Sequence, residues 1–590
     1  MKRTLSALLL PLLLLASACT DDLLSLLSSQ NTAITDAHMD PVAADTSIED
    51  PFTLEDEDDN IANTTFARTI TVTFSSSGAQ VSNAGKGIVT VDGNHVTIDN
   101  TGTGEAVRFE LSGTASDGYL KIYGDKKQAI VLNNLNLTNP NGAAINNQNK
   151  KRTFVVVNGT NQLADGKKYT ATPDGEDEKA AFFSEAQLIF SGSGSLAVTA
   201  TGKAGITSDD YVRVMNGPTL TVSSKGGHGI RGKDAVVIGA GTIDVTVSKA
   251  GKKAITSDGT VRIDGGKTTL TVSGGVDDSD LTDLSSSSGI KADAAFVMND
   301  GILTITNSGQ GGKGISGDAA GLIAGGSINI SVTGTNYEIT GAAAAGLEDT
   351  SSSAKGIKFD GKLVFTGGTV QVSAKSHEAI ESKGEMVITG GDIYAVSSDD
   401  AINSGGNMII GGGRLCAWST GNDGIDANGD CYIQGGLVYA IGSGSPEVAI
   451  DANTEEGHKL YIIGGTLVAI GGLENGAHRS QACYAANNWS TGKWYALYGD
   501  GQPLFAFKTP SAGGNGLVVS TAGTPSLKVG VSASGGTALF EGMGTVGGSI
   551  SGGTDVDLSA YTGGMGMGGP GMGGPGMGGP GGSGGGPGGW

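Results

Sequence analysis

AITSDGTVRIDGGKTTLTVS, residues 254–273, has recognisable variants along the whole middle of the chain. Each variant begins with a small residue and an Ile, followed by polar residues and a β-rich run that contains a Gly turn. Most intervals between these anchor isoleucines are 22–25 residues, and a fixed period in this range indicates a stacked repeat array. The anchors are Ile206, Ile230, Ile255, Ile290, Ile315, Ile357, Ile380, Ile402, Ile425 and Ile450.

Within a repeat, apolar residues alternate with a period of two. Met386, Ile388 and Ile393 fall on one side of this alternation, which is typical of strands with one buried face. Each repeat provides three short strands, around the Ile, a V-x-I motif and an L-x-V motif. A propeller blade needs four strands in about 40–45 residues. The sequence therefore predicts an all-β fold, a parallel β-helix whose coils stack about 4.8 Å apart.

The start of the chain resembles a bacterial lipoprotein signal. Lys2 and Arg3 precede an apolar run at 5–15 that is too short to span a membrane, and Ala16 to Ala18 precede Cys19. We expect Cys19 to become the lipidated first residue, carrying palmitate. The expected location is the outer membrane, with the protein anchored by lipid and exposed at the surface.

Composition divides the chain further. The acidic, polar segment after the signal predicts a solvated tether, and the Gly/Met/Pro-rich end predicts a disordered tail. The predicted boundaries are 1–19 for the signal peptide, 20–64 for the tether, 65–470 for the β-helix, 471–562 for a β-rich C-terminal cap and 563–590 for the tail.

Charge and cysteine content limit the function classes. The formal net charge of −22 argues against a nucleic-acid partner and is compatible with bound divalent cations. Cys416, Cys431 and Cys483 lack the spacing of a metal-thiolate site. Cys431 shares a column with Met386 and Met408, which predicts a buried apolar thiol.

Stacking places residues at the same offset from the anchor Ile above one another, and in the C-terminal repeats these offsets carry carboxylates. Two bare carboxylates about 4.8 Å apart repel by roughly 3–4 kcal/mol at an effective dielectric near 20. Such a ladder favours cations between its rungs or raised pKa values, and oxygen ligands on a rigid stack suit Ca²⁺. An acidic face without cations is the alternative. The predicted ligands are Glu378, Glu381, Asp400, Asp423, Asp426 and Asp451.

In the central repeats the same offsets carry basic side chains, which predicts contact with an acidic glycan. Outward aromatic residues on the L-x-V strands either pack on sugar rings or stabilise the sheet as cross-strand pairs. The candidate carbohydrate-binding residues are His228, Arg231, Lys253, Lys291, Lys313, Lys355, Lys358, Tyr394 and Tyr439.

The region from His95 onward resembles a known family. The run HVTIDNTGTGEAVRFELSGTASDGYLKIYGDKKQAIVLNNLNLTNPNGAAINN and the later FVVVNGTNQLADG and KAAFFSEAQLIFSGSGSLAVTA resemble the carbohydrate-binding-domain β-helix family of bacterial surface proteins. The resemblance extends over residues 85–590. It implies a right-handed, pectate-lyase-like β-helix that binds Ca²⁺ and cellulose or acidic sugars such as polygalacturonate. It identifies no ligand residues in this chain.

These observations favour a non-catalytic surface protein that binds acidic or plant-type polysaccharide with bound Ca²⁺. Two alternatives stay open. A Ca²⁺-dependent uronate lyase would use Arg231, Lys291 or Lys358 as the base that removes a proton α to a carboxylate. A structural adhesin would recognise a protein partner through the insertions at 276–288 and 335–353.

Overall fold

The computed structural model describes residues 35–53, 57–173, 175–486 and 488–563. These residues contain no α-helix, and their strands stack into a parallel β-helix, which confirms the predicted fold. No helix within them is long and apolar enough to cross a membrane. The predicted signal peptide with Cys19 and residues 564–590 of the tail lie outside the described residues. The 3-10 helices of the described chain are Glu57–Asp59, Ile61–Asn63, Gly341–Ala344, Thr454–Glu456 and Phe540–Gly542.

One 14-stranded sheet is built from the strands that carry the anchor isoleucines. Successive anchors from Ile206 to Ile425 pair across parallel neighbours, and Ile450 continues the column through an isolated bridge. The anchors are buried, and we call the outward side of these strands the Ile face. The strands are Ile88–Asp92, Asn94–Asp99, Gly118–Tyr123, Ile145–Asn147, Ala180–Ser184, Ala204–Ser208, Ile230–Gly232, Lys253–Ser257, Ser288–Ala292, Lys313–Gly317, Ile357–Phe359, Ile380–Ser382, Ile402–Ser404 and Ile425–Ala427.

The V-x-I and L-x-V strands form the other two sides of each coil and share one 28-stranded sheet. In several later coils the two strands merge into one that bends at a glycine. The strands are Arg68–Phe74, Gln80–Ser82, Val107–Ala115, Gln128–Asn139, Thr153–Asn158, Thr160–Asp165, Leu188–Gly192, Ser195–Ala200, Tyr211–Val214, Thr219–Ser224, Ala235–Ile238, Thr242–Val247, Thr260–Ile263, Lys267–Val272, Ala295–Met298, Ile302–Asn307, Ala320–Ile323, Ser327–Val332, Leu363–Ala374, Met386–Ser397, Met408–Ile410, Arg414–Ser419, Cys431–Ile441, Leu460–Ile470, His478–Arg479, Cys483–Ala486, Leu517–Ser520 and Ser559–Ala560.

Gly266 shows why the bend between these two strands requires glycine. Its φ of +75° is a left-handed conformation that side chains rarely adopt. A Cβ at this position would also lie 2.7 Å from the carbonyl oxygen of Gly241 on the preceding coil. Both the bend and the close stacking of coils therefore exclude a side chain here.

The interior of the coil is a continuous apolar core. Inward side chains of all three strand types are buried in one cluster along the axis. Cys431 is fully buried in this core, in register with Met408, as its column predicts. The three described cysteines are buried free thiols.

Beyond the last coil, antiparallel strands close the C-terminal end. Leu517–Ser520 pairs antiparallel with Leu460–Ile470 and covers the edge of the stack. A six-stranded antiparallel sheet packs its aromatic side against the outward L-x-V residues of the last coils. Its strands are Trp494–Gly499, Gln502–Lys508, Pro525–Ser534, Thr537–Leu539, Gly544–Val546 and Ser549–Val556.

Residues 35–53 and 57–64 contact the β-helix, although their composition predicts a solvated tether. We call these residues the N-terminal strap. The amide of Asp36 donates to the carbonyl of Arg479 in the last coil at 2.9 Å. At the other end, Asp59 is 2% exposed and lies against the early coils. The strap therefore runs along the axis from the C-terminal end toward the N-terminal end.

The strap lies over the outward side of the V-x-I strands because this column is largely apolar. Phe52 and Ile61 pack against a buried cluster that includes Phe154, Ile189 and Val237. Polar contacts add to this packing. They are Gln434 to the amide of Val42 (2.9 Å), Lys362 to Asp45 (2.9 Å), Arg262 to Asp50 (3.1 Å), and Arg152 (2.8 Å), Arg213 (2.7 Å) and Tyr211 (2.5 Å) to Asp59.

Candidate functional site

The Ile face carries a continuous outward column of predicted site residues. Each residue one position after an anchor Ile pairs across the strands with its counterpart in the next coil. This register brings the basic and acidic candidates of that offset onto one surface. The column reads Thr207, Arg231, Thr256, Lys291, Ser316, Lys358, Glu381, Asn403 and Asp426.

The sign of the column changes between Lys358 and Glu381. Lys355, two residues before the anchor Ile357, contacts the acidic side of this change. Its ammonium lies 3.1 Å from Glu378 Oε2 and 2.5 Å from Glu381 Oε2, and Lys383 lies 2.5 Å from the other oxygen of Glu381. Lys355, Glu378 and Glu381 are all buried. Because these charges neutralise one another, we remove Lys355 from the candidate glycan contacts and Glu378 and Glu381 from the candidate cation ligands.

His377 closes this ion-pair network. It contacts Glu378 and lies 3.0 Å from Asp399, and one ligand atom from each of these three residues lies within 4.8 Å of the others. Burial opposes the charged imidazolium, but the hydrogen bonds that it donates to Asp399 and Glu378 raise the pKa of His377 to about 9. The ring is therefore protonated at neutral pH and acts as the cation of this group.

Three of the remaining acidic candidates, Asp400, Asp423 and Asp426, have neutral hydrogen-bond partners. Asn403 donates to Asp426 at 2.6 Å and to Asp400 at 3.3 Å, and Asp400 also accepts from the amide of Asp423 at 3.1 Å. Asp423 accepts from the amide of Val448 at 2.5 Å. These bonds satisfy oxygen atoms but leave several carboxylates together without compensating charge.

The pKa values of these carboxyl groups reflect that arrangement. Burial, together with the nearby Asp426, raises the pKa of Asp400 to about 8. Burial likewise raises the pKa of Asp423 to about 7 and that of Asp426 to about 6. Burial and a hydrogen bond to Glu474 raise that of Asp451 to about 9. A cation beside these oxygens would favour their charged form and so lower these pKa values again.

Hard oxygen donors of this kind fit Ca²⁺, which accepts irregular carboxylate and carbonyl geometries. Asp400, Asp423, Asp426 and Asp451 are the candidates that fit, because no described lysine or arginine forms an ion pair with any of them. The set of possible cation ligands from sequence therefore narrows from six residues to four.

Over the basic coils the two insertions fold onto the Ile face and enclose a cleft of about 590 Å³. Its floor carries Lys253, Lys291, Lys313 and Lys358, which brings four of the predicted glycan contacts together. The insertions form the walls, and Tyr337 of the second donates to Asp278 of the first at 2.7 Å. Carboxylates at the cleft border are Asp283, Asp318, Asp349 and Asp360.

Lys253 and Lys313 make their hydrogen bonds with neutral oxygens. Lys253 donates to Ser285 Oγ at 2.9 Å, and Lys313 donates to Ser286 Oγ at 3.2 Å and Ser352 Oγ at 3.0 Å. Burial, followed by the neighbouring lysine charges, lowers the pKa of Lys253 to about 8 and that of Lys313 to about 7.

The other basic candidates have carboxylate partners. Arg231 lies 2.7 Å from Asp258, Lys291 lies 3.1 Å from Asp293 and also contacts Asp318, and Lys358 contacts Asp360. These aspartates follow the Ile strands, where sequence suggests only turn residues. They offset the charges of Lys291 and Lys358, so Lys253 and Lys313 are the floor lysines with neutral partners.

His228 does not provide a positive charge at this surface. Burial and then the charges of Lys253 and Lys252 lower its pKa to about 3. Its Nδ1 accepts a hydrogen bond from the amide of Lys253 at 3.1 Å. His228 therefore supports the strand that carries Lys253 and does not pair with a sugar carboxylate as a cation.

The aromatic candidates lie on a different side of the coil. Tyr439 is fully buried beneath the cap sheet against Phe505 and Phe507, so the prediction that it contacts sugar is wrong. Its hydroxyl donates to the carbonyl of Lys508 at 3.0 Å. Tyr394 lines a smaller cavity and is partly exposed.

Sequence reasoning missed the walls of the cleft. Ser285, Ser286 and Ser352 hold the floor lysines, but they stand in polar insertions that give no periodic signal. The only available indication is that both insertions fall between the repeats that carry these lysines.

Residues 92–251 and 308–401 match the family model described as carbohydrate-binding domain-containing protein. This match confirms the resemblance indicated by the sequence. A solved structure titled as the polysaccharide lyase-like protein from C. thermocellum, gadolinium derivative, is 21% identical, with 45% of this chain and 97% of that chain covered and a TM-score of 0.35. A likeness of this extent carries no argument about function. No curated protein matches the sequence.

Proposed function

We propose, from the match of two segments to a carbohydrate-binding family, that this protein is a non-catalytic polysaccharide-binding protein whose ligand is an acidic glycan of the polygalacturonate type. The lysine cleft on the Ile face is the binding site in this proposal. Plant cell-wall polysaccharide supplies such a ligand.

The observation that carries the proposal is the pair Lys253 and Lys313 on the cleft floor. A partly buried ammonium that meets only hydroxyl and carbonyl oxygens lacks the anionic partner that would best offset its desolvation. A glycan carboxylate would provide a charge-assisted hydrogen bond at each position. The cleft is therefore better suited to an anionic ligand than to a neutral one.

The spacing of the lysines suits an extended polymer. Lys253 pairs with Ser288, which pairs with Lys313, so the two lysines are two strands apart. This separation is about 9–10 Å along the axis. Lys291 and Lys358 are likewise separated by Ser316. A polyanion lying parallel to the axis would meet positive charge at regular intervals.

Ca²⁺ at the acidic coils is a second part of the proposal. Asp400, Asp423, Asp426 and Asp451 supply oxygen ligands whose charge the protein does not offset, and a divalent cation would reduce their repulsion. A bound Ca²⁺ with open positions would also attract carboxylates of the same glycan.

The experiment is native electrophoresis in gels that contain polygalacturonate, with Ca²⁺ or with EDTA. We expect retardation of the wild-type protein, weakened in Lys253→Gln/Lys313→Gln, whereas Lys267→Gln, an exposed lysine on another side of the coil, behaves as wild type. Retardation that is unchanged in the double variant would contradict the cleft as the site. If no acidic or plant glycan slows migration, an adhesin with a protein partner replaces the proposal.

A lyase is the second candidate because the pKa of Lys313 is lowered to about 7 by burial and neighbouring lysines. A neutral Lys313 amine would take the C5 proton, α to a uronate carboxylate, so that a C4=C5 double bond forms as the C4–O bond breaks, and the departing sugar oxygen would take up a proton from water. Steady formation of unsaturated uronate by the wild type and its loss in Lys313→Gln would establish this activity. If no ultraviolet-absorbing product forms, the lyase is excluded and the non-catalytic binding function remains.

Anchoring through Cys19 to the outer membrane, with palmitate among its acyl chains, completes the proposal. The signal-like residues ahead of Cys19 support it. Labelled palmitate should enter the wild type but not Cys19→Ser in cells. Equal labelling of both would contradict the assigned position.

A further inference from the structure

A second cavity, of about 320 Å³, lies between the outward L-x-V residues and the turn of the cap sheet at Leu539 to Gly542. This is a different side of the coil from the lysine cleft. Its size is within the range of small-ligand pockets, and a junction between two packed units is a common place for such pockets. The family match and the proposed acidic-glycan site give it no role.

Aromatic groups border this cavity from both sides. Tyr394 on the β-helix and Phe540 on the cap turn have ring centroids 6.5 Å apart with planes tilted by 34°. Phe540 is held by the cap core, whereas Tyr394 is partly exposed. An aromatic ring with one accessible side suits the apolar face of a sugar ring.

The polar side chains that line the cavity can form hydrogen bonds with the hydroxyl groups of a sugar. Gln371 precedes Tyr394 in the same column, and Asp392 and Glu541 add carboxylates from the β-helix and the cap turn. Arg414 pairs with Asp392 through two nitrogens, so its positive charge is already offset. The same pair offsets the charge of Asp392, so a uronate would meet the exposed carboxylate of Glu541, whereas a neutral hydroxylated ring would donate a hydrogen bond to it.

The backbone of the cap turn has a rare conformation at this place. Phe540 and Glu541 have φ values of +55° and +52°, and two successive non-glycine residues in the left-handed region are uncommon. Such outliers concentrate at functional sites, where surrounding structure holds them. The turn brings Phe540 into the cap core and places the exposed Glu541 at the cavity mouth.

We propose that this cavity binds one neutral hexose unit of a polysaccharide, with Tyr394 against the ring face and Gln371, Asp392 and Glu541 bonded to its hydroxyls. The inference does not depend on the acidic-glycan site, because it uses other residues on another side of the coil. Together the two sites would recognise a mixed neutral and acidic polysaccharide.

Calorimetry of the whole protein with cellotetraose, mannotetraose and maltotetraose tests this site, with tetragalacturonate as the acidic probe. We expect at least one neutral tetrasaccharide to bind, with affinity reduced at least about tenfold in Tyr394→Ala by loss of the ring contact. Glu541→Gln should weaken the same binding by a smaller factor. Lys313→Gln should leave neutral-sugar binding unchanged while it weakens tetragalacturonate binding.

Controls keep the outcome interpretable. Tyr394→Phe keeps the ring and should retain binding, and thermal melting of each variant identifies any that fails to fold. The proposal is overturned if no neutral probe binds the wild type. It is also overturned if folded Tyr394→Ala and Glu541→Gln bind as wild type, or if tetragalacturonate proves to depend on Tyr394.

Discussion

Lys313 has an ammonium group whose charge changes near neutral pH, because burial and neighbouring lysines lower its pKa to about 7. An anionic glycan binds the protonated form and raises this pKa, so binding at pH 8 should take up a proton. We therefore expect polygalacturonate affinity to fall as pH rises from 6 to 8.5. Calorimetry in buffers of different ionisation enthalpy measures the proton uptake.

Lys313→Gln provides the control for this pH effect. The variant should bind about tenfold or more weakly at pH 6, the effect of one charge-assisted hydrogen bond, and show less proton uptake at pH 8. Lys267→Gln should keep the wild-type pH profile. A profile in Lys313→Gln identical to that of the wild type would show that another group titrates.

Asp400 leads to a prediction about calcium and stability. Its folded-state pKa of about 8 means that its negative charge is costly in the folded protein without a cation. At pH 8 in EDTA, Asp400→Asn should raise the Tm by about 1 °C, the effect of relieving about 1 kcal/mol of repulsion in a folded unit of about 500 residues. In millimolar Ca²⁺ the order should reverse, because only the wild type gains a bound ion.

Asp392→Asn is the matched control for Asp400→Asn, because Asp392 is an aspartate of the β-helix that is paired with Arg414. It should neither gain stability in EDTA nor alter the response to Ca²⁺. Equal calcium stabilisation of wild type and Asp400→Asn in scanning calorimetry would refute Ca²⁺ at these coils.

Residue positions along the ladder could be predicted from sequence, but their charge state could not. Spacing from the anchor Ile places Lys291, Lys358 and Glu381 in one column, as the strand register shows. Sequence does not reveal that Lys355 neutralises Glu381 or that Tyr439 lies under the cap. Those outcomes depend on side-chain direction and on a sheet that the repeat pattern does not describe.

The N-terminal strap is an element whose attachment depends on one carboxylate. Asp59 is buried against Arg152, Arg213 and Tyr211, so Asp59→Ala removes a buried anionic partner of two partly buried arginines. Loss of one side of such a group costs about 3–5 kcal/mol. We expect residues 57–64 to detach and become sensitive to proteases, with mass spectrometry identifying the cleavage positions.

Asp45→Ala tests whether that effect is specific. The carboxylate of Asp45 is 68% exposed beside Lys362, and exposed ion pairs contribute little to stability. Cleavage should therefore stay at the wild-type level in this variant. Equal protection of the strap in Asp59→Ala and the wild type would mean that apolar packing alone holds it.

The repeat predicts the strands and their order, but the composition of residues 20–64 does not predict that the strap packs on the β-helix. The acidic composition of residues 20–64 suggests a solvated segment, yet the outward V-x-I column includes Val237, Val364 and Val387, all buried. A strand with apolar residues on both faces indicates that something covers it. This signal was available in the sequence, although it does not say which segment provides the cover.

The whole molecule presents its lysine cleft along the stacking axis, which predicts how binding depends on glycan length. From the coil of Lys253 to the coil of Lys358, which both line the cleft, there are three coil intervals, about 14 Å. Affinity for oligogalacturonates should rise with length until the chain spans this distance and then level off. Continued steep increase for longer oligomers in calorimetry would place further contacts outside the cleft.

Salt should weaken the same interaction, because the cleft attracts the ligand by charge while the molecule as a whole is strongly acidic, with net charge −22.

The overall charge and the number of repeats could be predicted from the sequence. The division of the surface into a lysine cleft, a carboxylate stretch and a cap junction could not, because it depends on how insertions fold back over the coils.

The strap also determines how the molecule would bear a mechanical load. Asp36 contacts the solenoid at Arg479, and Arg479 also contacts Tyr561, so the first and last parts of the described chain lie at the same end of the solenoid. Tension applied ahead of Asp36, directed away along the axis, would run parallel to the strap. Its contacts would then be loaded simultaneously in shear and would not break one after another.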